Sequence, residues 1–305
     1  HSWKDSYPYA AISAFALHPI YLNLDTLIPT SNINLIAKLS DAKQKLNALT
    51  VVDYEEVVKI KYQILDEVYT LIGEKSLASK GFKDFYTKHQ HWLEPYAAFC
   101  YCRDKYGTID FNQWPTHNTY SESDFKSLVE PDAAVKLIIE KYYFIQYLLD
   151  VQLREATAYA HENGVIVKGD IAIGVYRFGV DAWQHPNLFH MGMQAGAPPD
   201  DFAVAGQNWG FPTYNWEEMT TNGFAWWKQR FEQMSLYFDA FRIDHILGFF
   251  RIWSIPMDAV EGILGHFVPA IPVHENELKE RGIHISAQEY AKPIITDKVL
   301  WDYFG

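Results

Sequence analysis

Apolar residues recur at spacings of three and four from Ile33 to about Gly107, as at Val57, Ile60, Ile64, Val68 and Leu71. That period predicts amphipathic helices, with Gly73 and Gly81 as candidate stops. Residues 31–131 therefore read as a mainly helical insertion whose charges face solvent. A second helical run, from about Asp132 to His161, has Asp132 beside Pro131 as a candidate N-cap and Gly164 beyond its C-terminus. The period then changes. Residues 165–173 form an apolar run carrying Asp170, which predicts a strand. Residues 223–238 are again helical in pattern and lead into a second short strand, Phe241 to Asp244. Ahead of all this, Ser13 to Leu17 is strand-like.

Helix, strand, long loop, helix, strand is the order expected of parallel β/α architecture. Both strands run out at an aspartate, and in α/β barrels the C-terminal strand ends carry the active site. In Phe241-Arg242-Ile243-Asp244-His245, strand alternation places Arg242 and Asp244 on one face. A guanidinium beside a carboxylate favours the ionised form, which suits an anionic nucleophile or a charge stabiliser. A buried ion pair at a strand end has the same spacing. The connection from Gly174 to Asn222 is long for a βα loop, and its centre, His185 to Trp216, shows no clean period. It mixes Asp181, Trp183, His185, Asp200, Asp201, Phe202, Gln207, Asn208, Trp209 and Tyr214, so aromatic faces alternate with hydrogen-bonding tips. Polyhydroxylated ligands need that mixture, and a polar lid over an unrelated site has it too.

Composition narrows the class. The 305 residues are 49% hydrophobic and 21% charged, as in a folded globular chain, and suffice for one barrel-sized domain or two smaller ones. A formal net charge of −12 argues against nucleic acid and anionic membrane surfaces as partners. No apolar run approaches the roughly 20 residues a membrane span needs. Nor does His1-Ser2-Trp3-Lys4-Asp5 start a signal peptide, since no apolar segment follows it. The two cysteines, Cys100 and Cys102, fall two apart in a helical segment, where a disulfide is disfavoured and a metal site lacks ligands. Two structural thiols in a reducing compartment, the cytoplasm, is the expectation. No cofactor or metal is expected. Aromatic residues reach 16%, which suits either sugar stacking or a large core.

Six segments taken together resemble a known family. They are Gly169-Asp170-Ile171-Ala172-Ile173, Asp181 to Phe189, Pro198-Pro199-Asp200-Asp201-Phe202, Gly206-Gln207-Asn208-Trp209-Gly210, Phe241 to His245, and Arg251-Ile252-Trp253. From about Ser6 to Gly305 the chain resembles the 4-α-glucanotransferases, also called amylomaltases or disproportionating enzymes, and among them the plant cytosolic and bacterial disproportionating type. The resemblance implies α/β architecture in the form of a (β/α)8 TIM barrel with helical insertions. It also implies retaining transfer of α-1,4-glucan segments between maltooligosaccharides, or glycogen- and starch-like glycans. Such enzymes place two carboxyl groups about 5 Å apart, one as nucleophile and one as acid/base.

By motif position the resemblance makes Asp244 the nucleophile that forms the covalent glycosyl intermediate, with Arg242 holding and ionising it. His245 and Asp170 would bind the sugar at the cleaved bond, and Trp209 would stack on the glucan. Gln207, Asp200, Phe202 and His185 are further substrate-binding candidates, and Pro198 to Gly206 matches the family's mobile substrate loop. Asp201 stands where many members carry Tyr, and Phe211 where many carry Asn. The family's general acid, a Glu in a Gly-Glu-Asp-Leu-Gly-like segment, finds no match; Glu275, Glu277, Glu280 and Glu289 all read as solvated. The expectation is an incomplete catalytic barrel over residues 1–305, inactive by itself. An α-amylase-like hydrolase and a non-catalytic α-glucan-binding module are the alternatives.

Overall fold

The computed structural model describes residues 10–129, 132–270, 273–284 and 295–305. The first helical stretch resolves into α1 (Ile33–Asn47), α2 (Tyr54–Ala78) and α3 (Lys80–Tyr106). Each begins at a side-chain cap: Asn32, Asp53 and Ser79 accept the backbone N–H of Leu35, Glu56 and Phe82. Ser79, rather than a glycine, therefore separates α2 from α3. Gly73 and Gly81 lie inside the helices, where they give room to rings. A Cβ on Gly73 would sit 2.4 Å from the Tyr69 ring, and one on Gly81 would sit 2.5 Å from the Tyr147 hydroxyl. Gly107, at φ 70°, does end α3, its N–H reaching the Arg103 carbonyl. On α2, Ile64, Leu65 and Val68 are fully buried, whereas Leu71 lies at the margin of that face and is half exposed.

After α4 (Glu122–Val129), Asp132 caps α5 (Ala133–Glu162) by accepting from Ala134 and Val135; Pro131 lies outside the described residues, as does the start of the family-like region, Ser6 to Tyr9. α3 and α5 enclose the larger core, which continues into the strands and the Trp226–Trp227 pair. α1, α2 and the middle of α5 close a second core over Leu22, Leu24 and Ile28. Ser13 to Leu17 is irregular rather than a strand, because side chains satisfy its backbone. The Gln146 amide both accepts from and donates to Leu17, and an Asp181 oxygen accepts from Ala14.

The remaining elements are β1 (Lys168–Ile171), α6 (Val180–Gln184), β2 (Phe189–His190), β3 (Met193–Ala197), β4 (Gln207–Asn208), β5 (Thr213–Tyr214), α7 (Trp216–Thr221), α8 (Ala225–Met234), β6 (Ala240–Ile243), β7 (Ile252–Pro256), β8 (His266–Val268), α9 (Glu275–Glu280) and α10 (Asp297–Phe304). β1 and β6 pair in parallel, as the alternation of helix and strand predicts, and the register sets Asp170 opposite Arg242. The intervening segment is not the unstructured loop expected. β3 is its spine, pairing antiparallel with β4 and, across about sixty residues, with β7; β8 completes the sheet β4-β3-β7-β8. Two-residue strands and a partner so distant in sequence leave no periodicity to read. The architecture is α/β, and among the described residues no helix is long and apolar enough to cross a membrane.

Both cysteines are free and buried on α3, and burial pushes the Cys102 thiol up to about 12. Burial also lowers His18 and His89 to about 4. Each uses Nδ1 as an acceptor, from the Ile20 N–H and the Trp92 Nε1–H. The unfolded chain therefore binds these two protons near pH 6.5 and the folded one only near pH 4, so the contribution is whole above pH 6.5 and is lost as pH falls towards 4. The urea midpoint is expected to drop between pH 7 and pH 5, and less so in His89→Gln. An equal drop in the two proteins would contradict this assignment.

Candidate active site

The parallel ladder runs one step beyond β6: the Asp244 N–H donates to the Ile171 carbonyl at 3.1 Å. There the chain turns. His245 adopts a left-handed conformation at φ 54°, and the Gly248 N–H returns to its carbonyl at 2.9 Å. A non-glycine residue held in that region costs about 1 kcal/mol or more, and such positions concentrate at functional sites. The turn delivers Asp244 and His245 into an open cleft of about 730 Å³. Among the described residues no hydrogen bond or ion pair occupies the Asp244 carboxylate. Burial lowers the His245 pKa from its usual value, with Asp244 opposing, so the ring is neutral at neutral pH and can both donate to and accept from hydroxyl groups.

Arg242 does not hold Asp244, contrary to the motif-based expectation. Its guanidinium forks onto Asp170, with Nε to Oδ1 at 2.6 Å and Nη2 to Oδ2. Register explains the difference, since residue 242 lies directly across from 170 while Asp244 lies past the strand where the backbone turns. Both partners are at least half exposed, so the pair contributes no more than about 1 kcal/mol to stability.

Two rings wall the cleft. Trp209 stacks on Phe211 with centroids 5.7 Å apart and meets His245 edge-on at 4.9 Å. The Gln207 Oε1 accepts from Trp209 Nε1 at 3.0 Å. Gly174 leaves space for Phe211, because a Cβ there would sit 2.3 Å from its ring. Phe211 thus builds the second half of the wall. Arg177 was missed from the sequence. It is buried beside the cleft and donates Nε to the Gly210 carbonyl, Nη1 to Met191 and Nη2 to Met193. Burial lowers its pKa, and no sequence signal separates it from a solvated arginine.

Other candidates lie elsewhere. Asp200 and Phe202 sit on the β3–β4 turn, where Asp200 Oδ1 accepts from the Phe202 and Ala203 N–H groups. His185 does not line the cleft; it follows α6 near His91 of α3. Asp181, Trp183 and Tyr214, read as part of a sugar-binding mixture, are core residues. Asp181 bonds Ala14 and Trp226 Nε1, and the Trp183 indole donates to the His117 carbonyl. Glu275, Glu277 and Glu280 are exposed, as expected, and Glu289 lies outside the described residues.

Residues 1–291 match the family model described as 4-alpha-glucanotransferase. The chain is 44% identical over 303 residues to the 4-alpha-glucanotransferase DPE2 of Oryza sativa subsp. japonica, covering 99% of this chain and 32% of the rice protein. It is 32% identical over 249 residues to the 4-alpha-glucanotransferase of Chlamydia muridarum, covering 81% of this chain and 46% of that protein. The chain thus spans about a third to a half of these relatives. Among solved structures, the amylomaltase from Streptococcus agalactiae in complex with acarbose superposes with a TM-score of 0.72 at 24% identity, over 97% of this chain and 61% of that one. At that identity the likeness concerns the fold.

Proposed function

The chain belongs to the 4-alpha-glucanotransferase family, and from that premise we propose that the protein transfers α-1,4-glucan segments between maltooligosaccharides or larger glycans. The observation that carries this reading is the Asp244 carboxylate, free of partners among the described residues, in a cleft walled by Trp209, Phe211 and His245. A carboxylate without a competing donor can attack the anomeric carbon and form a glycosyl ester. Stacked rings bind the apolar faces of glucose units. A neutral His245 bonds a hydroxyl of the sugar at the cleaved bond, and Asp170, its oxygens held by Arg242, bonds another. Gln207 serves through Trp209, while Asp200 and Phe202 act from the β3–β4 turn.

In this reading β1 and β6 are neighbouring strands of a (β/α)8 barrel, and residues 31–131 are a helical insertion in it. The free buried thiols suit the cytoplasm. A retaining mechanism also needs an acid/base carboxyl group about 5 Å from the nucleophile.

Transfer and hydrolysis differ only in what attacks the intermediate, so product lengths decide between them. The full-length protein given maltotriose is expected to produce maltopentaose and longer oligomers together with glucose. Only shorter sugars would establish a hydrolase instead, and no turnover with binding retained would establish a glucan-binding module.

A further inference from the structure

The β7–β8 turn, residues 257–265, lies beside the β3–β4 turn, residues 198–206, and the two are clasped backbone to backbone. The Ile263 N–H donates to the Ala205 carbonyl at 2.8 Å. A Cβ on Gly262 would sit 2.5 Å from the Gln207 nitrogen and 2.7 Å from the Gly206 carbonyl carbon, so only glycine permits this approach. The underside is fastened as well. Trp253 Nε1 donates to the Gly262 carbonyl, and Gln194 Nε2 donates to Pro256, Met257 and Ala259. Asn208, which lines the cleft holding Asp244, donates its amide to Ala259 and Val260. The turn is therefore continuous with the cleft wall.

Its outer surface is apolar and open: Val260 is 84% exposed, and Ile263 and Leu264 more than half, facing solvent as Phe202 does at 98% on the neighbouring turn. Exposed apolar groups gathered on fixed turns mark an interaction surface. Asp201, Asp258 and Glu261 are interspersed among them and exposed. That alternation fits pyranose rings, which offer apolar faces and hydroxyl rims, and it fits a protein partner poorly, since the cores of protein interfaces are depleted of charge.

We propose that the β7–β8 turn is a second wall of the glucan-binding cleft, with Val260 and Ile263 touching the sugar chain beyond the units nearest Asp244 and Gly262 as the residue that positions them. The proposal rests on the glucan reading above. Its test is calorimetric binding of maltotriose and maltoheptaose to the full-length protein, with Asp244→Asn as background to prevent turnover. Val260→Ser/Ile263→Ser, both surface changes, is expected to weaken maltoheptaose binding about tenfold and to leave maltotriose unchanged. Gly262→Ala is expected to give the same loss, with faster amide exchange at Ile263.

Absence of binding by the background protein would overturn the glucan reading itself. Binding that survives the double substitution would overturn the second wall alone. Unchanged exchange at Ile263 in Gly262→Ala would overturn the positioning role. A dimer that the double substitution dissolves, seen by sedimentation, would show the surface to be a contact between copies and overturn the proposal.

Discussion

Asp244→Asn in the full-length protein is expected to lower kcat for disproportionation of maltotriose by about a thousandfold or more, with sugar binding retained. The amide keeps the shape of the carboxylate and removes the anionic oxygen that would form the glycosyl ester. The structure makes this a clean substitution. No described residue hydrogen-bonds or ion-pairs with the Asp244 side chain, and its backbone N–H to Ile171 persists, so stability should stay within about 0.5 kcal/mol. Asp170→Asn is the informative contrast, because it disturbs the fork that the Arg242 guanidinium makes on Asp170. Initial rates of glucose release, with the unfolding midpoint measured alongside, check both. Near-normal turnover by Asp244→Asn would remove Asp244 from the nucleophile's role.

What the sequence made legible follows from how local each signal is. The helix period, the Asp132 cap and the parallel β1–β6 pair were all readable, because each depends on residues close in sequence or on a repeated β/α order. The position of Asp244 at a strand end was readable for the same reason. Three things were not. Arg242 changes partner because parallel register, a property of two strands seventy residues apart, decides which carboxylate it meets. Asp181, Trp183 and Tyr214 have the composition of a sugar site yet are used as core, and only packing separates the two uses. The sheet built on β3 depends on a pairing with β7 that crosses the α7–α8 helices, so its strands carry no alternation long enough to see.

Arg177 is the extreme case and carries the other large expectation. Its guanidinium reaches backbone carbonyls at 191, 193 and 210, tying the entry to β3 and the segment that presents Trp209 and Phe211 to one buried group. Arg177→Ala strands these acceptors and opens a void, at a cost of about 3 kcal/mol or more, because an unsatisfied buried polar group costs about 1–3 kcal/mol. Arg177→Lys should recover only part of this, since a single ammonium cannot span the positions a planar fork reaches. The affected backbone carries the ring wall, so maltotriose affinity should fall in both variants even where they remain folded. Urea unfolding measures the first effect and calorimetry at low temperature the second. An alanine variant within about 0.5 kcal/mol of the parent, the usual range of surface substitutions, would mean that water replaces the guanidinium and that the wall is held by Gly174, Gln207 and ring stacking alone.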